Sequence, residues 1–301
     1  MPNGISNEYK NVIKKTAPIP FYNEKEGCLF CGDSIEMLRK IKDASVDMIF
    51  ADPPYSIKKA EWDTFENQEE YIKFSRKWIK EAGRILKDSG TLYICGFSEI
   101  LAGIQQPAMK YFYSCRWLIW YYKNKANLGN DWGRSHESIL CLRKSKKHTM
   151  NIDDVRIPYN AHTLKYPDRT QAETSQYGNG VREEVWRPNP LGAKPKDVIE
   201  IPTTCNGMGE KTPHPTQKPE ELLRKIILAS SNEGDIILDP FVGSGTTVVC
   251  AKQLKRNWIG IDKQEEYLDW AIERLKNIQI KTVEEWIQYD KTISTRRETI
   301  R

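Results

Sequence analysis

Two groups of residues in this 301-residue chain have types and spacing suited to chemistry. The first is Asp52-Pro53-Pro54-Tyr55. It follows Met48 to Ala51, a run that reads as a short buried strand. Each proline fixes its own φ and restricts the residue before it. An acid and an aromatic ring are therefore held on a stiff corner at a strand's carboxyl end. Ligands of open α/β sheets bind at such ends. The second group is "DIILDPFVGSGTT" over 235–247. Asp239 closes a buried strand, and Gly243 and Gly245 let backbone approach a ligand closely. The helix that follows offers free N–H groups at its start. No lysine follows the glycines, so this is no Walker loop, and it lacks the full GxGxxG of dinucleotide binders. Seventeen residues beyond Gly245, "IGID" ends in Asp262. An acid at the end of a second strand commonly accepts hydrogen bonds from ribose hydroxyls. Glycine loop and Asp262 together indicate a nucleoside-containing cofactor without pyrophosphate machinery.

The elements that must carry these groups alternate. "GCLFCGDS" reads as a strand and turn, with Ser34 placed to cap a short helix "IEMLRKI". "VDMIFAD" is the next strand. Tyr71, Phe74, Trp78, Ala82 and Ile85 then fall on one face of a helix. "DSG" at 88–90 is expected to stop it before the strand "TLYICG". "RWLIWYYK" and "SILCLRK" read as further strands. From about 145 to 210 the pattern breaks into short polar pieces. "PEELLRKIILASS" restarts a helix, and strand, helix, strand, helix follow to about residue 278. Strands alternating with amphipathic helices predict a doubly wound, mostly parallel α/β sheet. The expected division is an arm over 1–26, a catalytic half over 27–143, an inserted region over 144–210, a cofactor half over 211–280 and a tail over 281–301.

Composition excludes several classes. No apolar run approaches membrane-spanning length, and the N-terminal stretch has no apolar core of a secretory signal. A cytoplasmic protein is expected. Seven scattered cysteines fit reduced thiols better than a disulfide framework. Cys28 and Cys31 form a CxxC that no second pair completes, so no metal site is expected. Residues 123–218 hold sixteen Lys/Arg against eleven Asp/Glu, which accounts for the whole net charge of +5. A basic, loop-rich segment between regular regions suits a polyanion. Lys144, Lys146 and Lys147 are its densest run and are expected to meet the phosphates of such a partner.

These motifs, in this order, resemble the S-adenosylmethionine-dependent DNA amino-methyltransferases that methylate adenine N6 or cytosine N4. "DPPY" resembles the family's catalytic motif and "DPFVGSGTT" its cofactor loop. "HPTQKP" at 214–219 resembles the motif that precedes that loop in permuted members. "GDS" at 32–34 resembles the acidic turn beside the cofactor's adenine, and "NDWGRSHESIL" the wall of the target-base pocket. Catalytic motif first and cofactor loop last is similar to the β class, and implies a Rossmann-like fold with permuted motif order. The resemblance covers roughly 28–276. It implies a cofactor site at Asp239, Phe241, Gly243, Ser244, Gly245, Thr246 and Asp262. Asp239 either orders the glycine loop, meets the methionine amine or caps its strand. Asp33 either faces the adenine or caps the next helix. Thr216 and Lys218 either meet the methionine carboxylate or shape a loop. His136 and Glu137 are expected in the pocket wall, and Trp62 in loop packing.

The family chemistry suits the DPPY corner. An exocyclic amine is a poor nucleophile because its lone pair is delocalised. Asp52 and the Pro53 carbonyl would each accept one N–H and free that lone pair, with Pro54 stiffening the corner. The base must leave the duplex to reach them, and Tyr55 would stack on it. The resemblance implies a sequence-specific DNA methyltransferase, with adenine N6 favoured by DPPY. Cytosine N4, an RNA base methyltransferase and a catalytically dead DNA-binding module are the alternatives. Double-stranded DNA is the expected partner, a restriction endonuclease an optional companion, and the state a monomer or homodimer.

Overall fold

A computed structural model describes residues 11–55, 65–123, 130, 132–170, 185–205, 208–279 and 281–299. In chain order the elements are β1 (Tyr22–Asn23), β2 (Gly27–Cys31), α1 (Ser34–Arg39), β3 (Val46–Ala51), α2 (Gln68–Ile85), β4 (Leu86–Gly96), α3 (Ser98–Ala108), β5 (Ser114–Tyr121) and β6 (His136–Arg143). Then come α4 (Ala161–Lys165), β7 (Arg169–Thr170), β8 (Val185–Trp186), β9 (Val198–Glu200), α5 (Glu220–Ser230), β10 (Ile236–Asp239), α6 (Thr246–Gln253), β11 (Asn257–Asp262), α7 (Glu265–Lys276) and α8 (Val283–Thr299).

Nine strands form one sheet in the order β1-β2-β11-β10-β3-β4-β6-β5-β9. β2, β11, β10, β3 and β4 are parallel, and β6 is antiparallel to both its neighbours. Alternate residues of each strand feed two cores. Met48, Phe50 and Tyr93 pack with α5, α6 and α7; Ile49, Ala51 and Leu92 pack with α1, α2 and α3. The doubly wound sheet expected from the sequence is therefore present. The chain leaves β3 toward β4 and leaves β10 the opposite way, toward β11. That reversal opens a crevice between β3 and β10, where such sheets bind ligands. Leu238 pairs with Ile49, which brings Asp52 and Asp239 to the same edge of the sheet.

Several local expectations change. "DSG" does not separate helix from strand, because β4 begins directly after α2. Its pairing with β3 jumps from Val46–Leu86 to Met48–Thr91, so residues 87–90 form a bulge. A Cβ on Gly90 would meet the Asp47 carbonyl oxygen at 2.9 Å, so only glycine lets the bulge close. The cap of α1 is Asp33, not Ser34: its Oδ1 accepts the N–H groups of Ile35 and Glu36. The described part of the N-terminal arm is packed, with Val12 and Ile13 buried and β1 paired to β2. In the inserted region β9 returns to the main sheet beside β5. No helix among the described residues is long and apolar enough to cross a membrane.

Candidate active site

The rigid end of β3 holds the first cluster. Asp52 Oδ1 accepts the Tyr55 hydroxyl, and Oδ2 accepts Lys218 Nζ at 2.6 Å. The Tyr55 hydroxyl also lies 3.1 Å from Glu137 Oε2, and Lys218 Nζ lies 3.4 Å from the same oxygen. Glu137 comes from the start of β6, and Cys95, beside it on β4, points its Sγ at Glu137 Oε2 at 3.4 Å. Burial pushes the Asp52 carboxyl above its ordinary range, and the Lys218 charge opposes that push. Burial disfavours the Lys218 ammonium, but Asp52 and Glu137 outweigh it and keep the group charged. Aromatic rings wall this corner. Phe97 meets Tyr55 edge-on at 5.1 Å, and the Arg134 guanidinium lies 3.9 Å over Phe97. Trp120 donates its indole N–H to the Ile201 carbonyl at 2.7 Å and faces Lys218 Nζ at 6.0 Å.

Beside the corner, between the ends of β3 and β10, is a cavity of about 520 Å³. Asp33, Asp52, Thr216, Lys218, Asp239, Phe241, Gly243, Ser244, Thr246 and Asp262 all line it. The cofactor residues named from the sequence thus meet in one place, with one exception. Gly245 does not line the cavity; a Cβ there would strike the Ala271 Cβ at 2.5 Å, and its φ is +83°. It is needed for the close approach of α6 and α7, not for ligand space. At Gly243, φ is +49° and a Cβ would lie 2.9 Å from His214 Nε2, on the cavity wall.

The three acids have distinct partners. Asp239 accepts the Phe241 N–H at 2.9 Å and the Thr247 hydroxyl at 2.5 Å, so it orders the glycine loop. Burial pushes its carboxyl up to about 7. Asp262 accepts the N–H groups of Gly243 and Gln264, each at 2.9 Å, and burial raises it too. Burial also raises Asp33, but the Lys263 hydrogen bond at 2.8 Å and the cap amides prevail and hold it below its usual range. Asp33 therefore caps its helix and lines the cavity at once. His214 is pushed down to about 4 by burial and by Lys218, so it is neutral at pH 7.

S-adenosylmethionine fits these residues. The volume is of ligand size. Phe65, Phe74 and Phe241 offer flat apolar walls for an adenine, and Asp262 offers acceptors for a ribose. The start of α6 and the Thr246 hydroxyl offer donors. A surplus of acids over Lys218 and Lys263 suits a sulfonium.

The three lysines expected to meet DNA lie away from the Asp52 corner. Lys144 bonds the Gly83 carbonyl at 2.6 Å, and its N–H bonds the Gly90 carbonyl. Lys146 lies over the Tyr113 ring at 5.6 Å. These residues and Lys147 follow β6 at the edge where Arg143 pairs with Thr91, whereas Asp52 lies beyond the edge where Ala51 pairs with Ile94. The run borders the end of the sheet opposite Asp52 because β6 is antiparallel to β4. Trp62 and Asp131 lie outside the described residues. From sequence Glu137 reads only as pocket wall, and no role is read for Cys95, Phe97, His214 or Tyr267, whose ring meets His214 edge-on at 4.6 Å on the cavity wall. Only His214 had a signal, as the first residue of "HPTQKP".

Comparison with known proteins agrees with this site. The family described as DNA methylase matches residues 46–273. The chain is 38% identical over 254 residues to the Type II methyltransferase M.HpaI of Haemophilus parainfluenzae, covering 82% of this chain and 73% of the relative. It is 35% identical over 264 residues to the DNA adenine methyltransferase YhdJ of Escherichia coli (strain K12), covering 86% and 85%. The fold is similar to that of PvuII DNA methyltransferase, a cytosine-N4-specific enzyme, with a TM-score of 0.66 at 18% identity over 94% of this chain and 95% of that one. With the acid-proline corner and the glycine-loop cavity side by side at the switch point, the chain belongs to the N6/N4 DNA methylase family, whose methyl donor is S-adenosylmethionine.

Proposed function

We propose that this DNA methyltransferase acts on adenine N6 at a specific sequence, on a base flipped out of the duplex. The observation that carries the reading is the Asp52–Tyr55 corner opening on the cofactor cavity. Bound S-adenosylmethionine supplies an activated methyl group on sulfur. The chain supplies position and charge. Asp52 and the Pro53 carbonyl accept the two N–H groups of the amine and expose its lone pair. Pro53 and Pro54 keep these acceptors from moving, so the site pays no reorganisation cost during transfer. The Asp52 carboxylate then takes the proton that the methylated amine sheds. A flipped base would stack on Tyr55, which Asp52 and Glu137 hold, a contact of roughly 1–3 kcal/mol.

The inserted region, 144–210, is our candidate for base reading, with phosphate contacts from groups at the Asp52 edge of the sheet. A cytoplasmic modification role beside an endonuclease that cuts the same sequence accords with the Type II name of M.HpaI.

The test is digestion of treated DNA to nucleosides. N6-methyladenine is expected; N4-methylcytosine would overturn the adenine assignment, and no methylated base would overturn the activity. Asp52→Ala should lower transfer by about 10²–10³-fold or more, as loss of a fixed transition-state partner does. Its affinity for the cofactor should stay near that of the unaltered chain.

A further inference from the structure

Both carboxylate oxygens of Asp52 are already hydrogen-bonded within the chain. Tyr55 occupies Oδ1 and the Lys218 ammonium occupies Oδ2. A target amine would bring an N–H donor to the same acceptor. It competes poorly, because the ammonium brings a full opposite charge to the carboxylate and the amine brings none. The Lys218 side chain is only 6% exposed, so an ammonium pushed off Asp52 without a new ionic partner would keep only the Thr216 carbonyl, at 3.5 Å, and the faces of Tyr55 and Trp120. Glu137 offers that partner. Its Oε2 lies 3.4 Å from Lys218 Nζ, and its contacts to the Tyr55 hydroxyl and Cys95 Sγ are also long, at 3.1 and 3.4 Å. A shift of less than about 1 Å would make the Lys218–Glu137 contact a full ionic hydrogen bond. Glu137 sits within the paired part of β6, opposite Trp120, so it is a fixed receiver. Lys218 ends a flexible four-carbon stem on the loop before α5.

Resting on the base-flipping reading above, we propose that Lys218 is a movable counter-ion that passes from Asp52 to Glu137 as the base enters. Base capture is then an exchange of one N–H donor for another on Asp52 Oδ2, and the ammonium is paired throughout. Glu137 is a positioning residue: it acts on the base by drawing Lys218 aside. The Lys218 charge also stands between two half-buried acids, because carboxylate oxygens of Asp52 and Glu137 come within 4.8 Å of each other.

The experiment places 2-aminopurine beside the adenine that the chain methylates, located by sequencing modified DNA, so that the target keeps its N6 amine and its departure unstacks the probe, and follows the fluorescence on binding. Glu137→Gln keeps the size and loses the charge, so Lys218 stays on Asp52. Its flipped-base signal should fall at least fivefold and kcat at least tenfold, with cofactor affinity within about twofold of the unaltered chain. Glu137→Asp, which keeps the charge, should retain more of the signal. In Glu137→Gln/Lys218→Met no ammonium remains to block Asp52. The signal should recover to at least half, while transfer stays low because buried Asp52 has lost the cation that favours its ionised form. A merely structural Glu137 would give no recovery in the double variant. An undiminished signal in Glu137→Gln, equal loss in the Gln and Asp variants, or a folded double variant as dark as the single would each overturn the proposal. If the double variant does not fold, the two single variants decide. No enhancement with the unaltered chain would overturn the base-flipping reading and this one with it.

Discussion

The carboxylate of Asp262, at the end of β11, accepts the backbone N–H of Gly243 at 2.9 Å. One acid thus ties the glycine loop to the neighbouring strand and still faces the cavity. Asp262→Ala should therefore weaken S-adenosylmethionine binding twice over, through a lost ribose acceptor and a loosened loop. A loss of about 10–100-fold corresponds to roughly 1.4–3 kcal/mol. Asp262→Asn keeps an acceptor for the loop and should lose less. Equilibrium binding of labelled cofactor measures both, and equal losses would show that the tie contributes nothing.

The two glycines of the loop should fail differently. A methyl group at Gly245 meets Ala271 at 2.5 Å and at a φ of +83°. Gly245→Ala should lower stability by about 1–3 kcal/mol through overpacking. Gly243→Ala meets His214 at 2.9 Å on the cavity wall and should chiefly weaken cofactor binding. Thermal melts and binding titrations on both variants separate the effects. A Gly245 variant with unchanged melting would place slack between α6 and α7 that the structure does not show.

Asp239 makes stability depend on pH. Its carboxyl is pushed up from an ordinary 3.8 to about 7 by burial. A raised folded-state value means that its stabilising contribution is complete below about pH 4 and is lost as pH rises through 7. Three pKa units correspond to about 4 kcal/mol at most. Asp239→Asn can still accept from Phe241 N–H and donate to Thr247. It should gain stability relative to the unaltered chain between pH 4 and 7. Denaturant midpoints across that range would show parallel curves if Asp239 titrates normally.

Neutralising Lys144, Lys146 and Lys147 together should leave the salt dependence of DNA binding unchanged. They lie at the edge of the sheet away from Asp52. Each lost phosphate contact would lower the log–log slope by about 0.9. A slope lowered by two or three would mean that DNA wraps around to that edge.

The sequence by itself determined the local parts of this protein. An apolar run into two prolines reads as a strand meeting a stiff corner, and glycines after a strand-ending acid read as a tight loop. Both are patterns of neighbouring residues, and the β3 and β10 ends show them as read. The alternation of periods two and 3.6 likewise fixed the sheet and its two helical layers. Tertiary structure decided what depends on strand direction and distant partners. Lys144 to Lys147 follow β6, and no local pattern says that β6 runs against β4. Gly245 looks like its neighbour Gly243 until α7 packs against it. Asp33 caps a helix and borders the cavity at the same time, which no spacing rule could separate. Glu137 and Lys218 reach Tyr55 and Asp52 across 82 and 166 residues of chain. Their meeting is set by the strand order, which places β6 beside β4, and by the turn that brings "HPTQKP" back over the switch point.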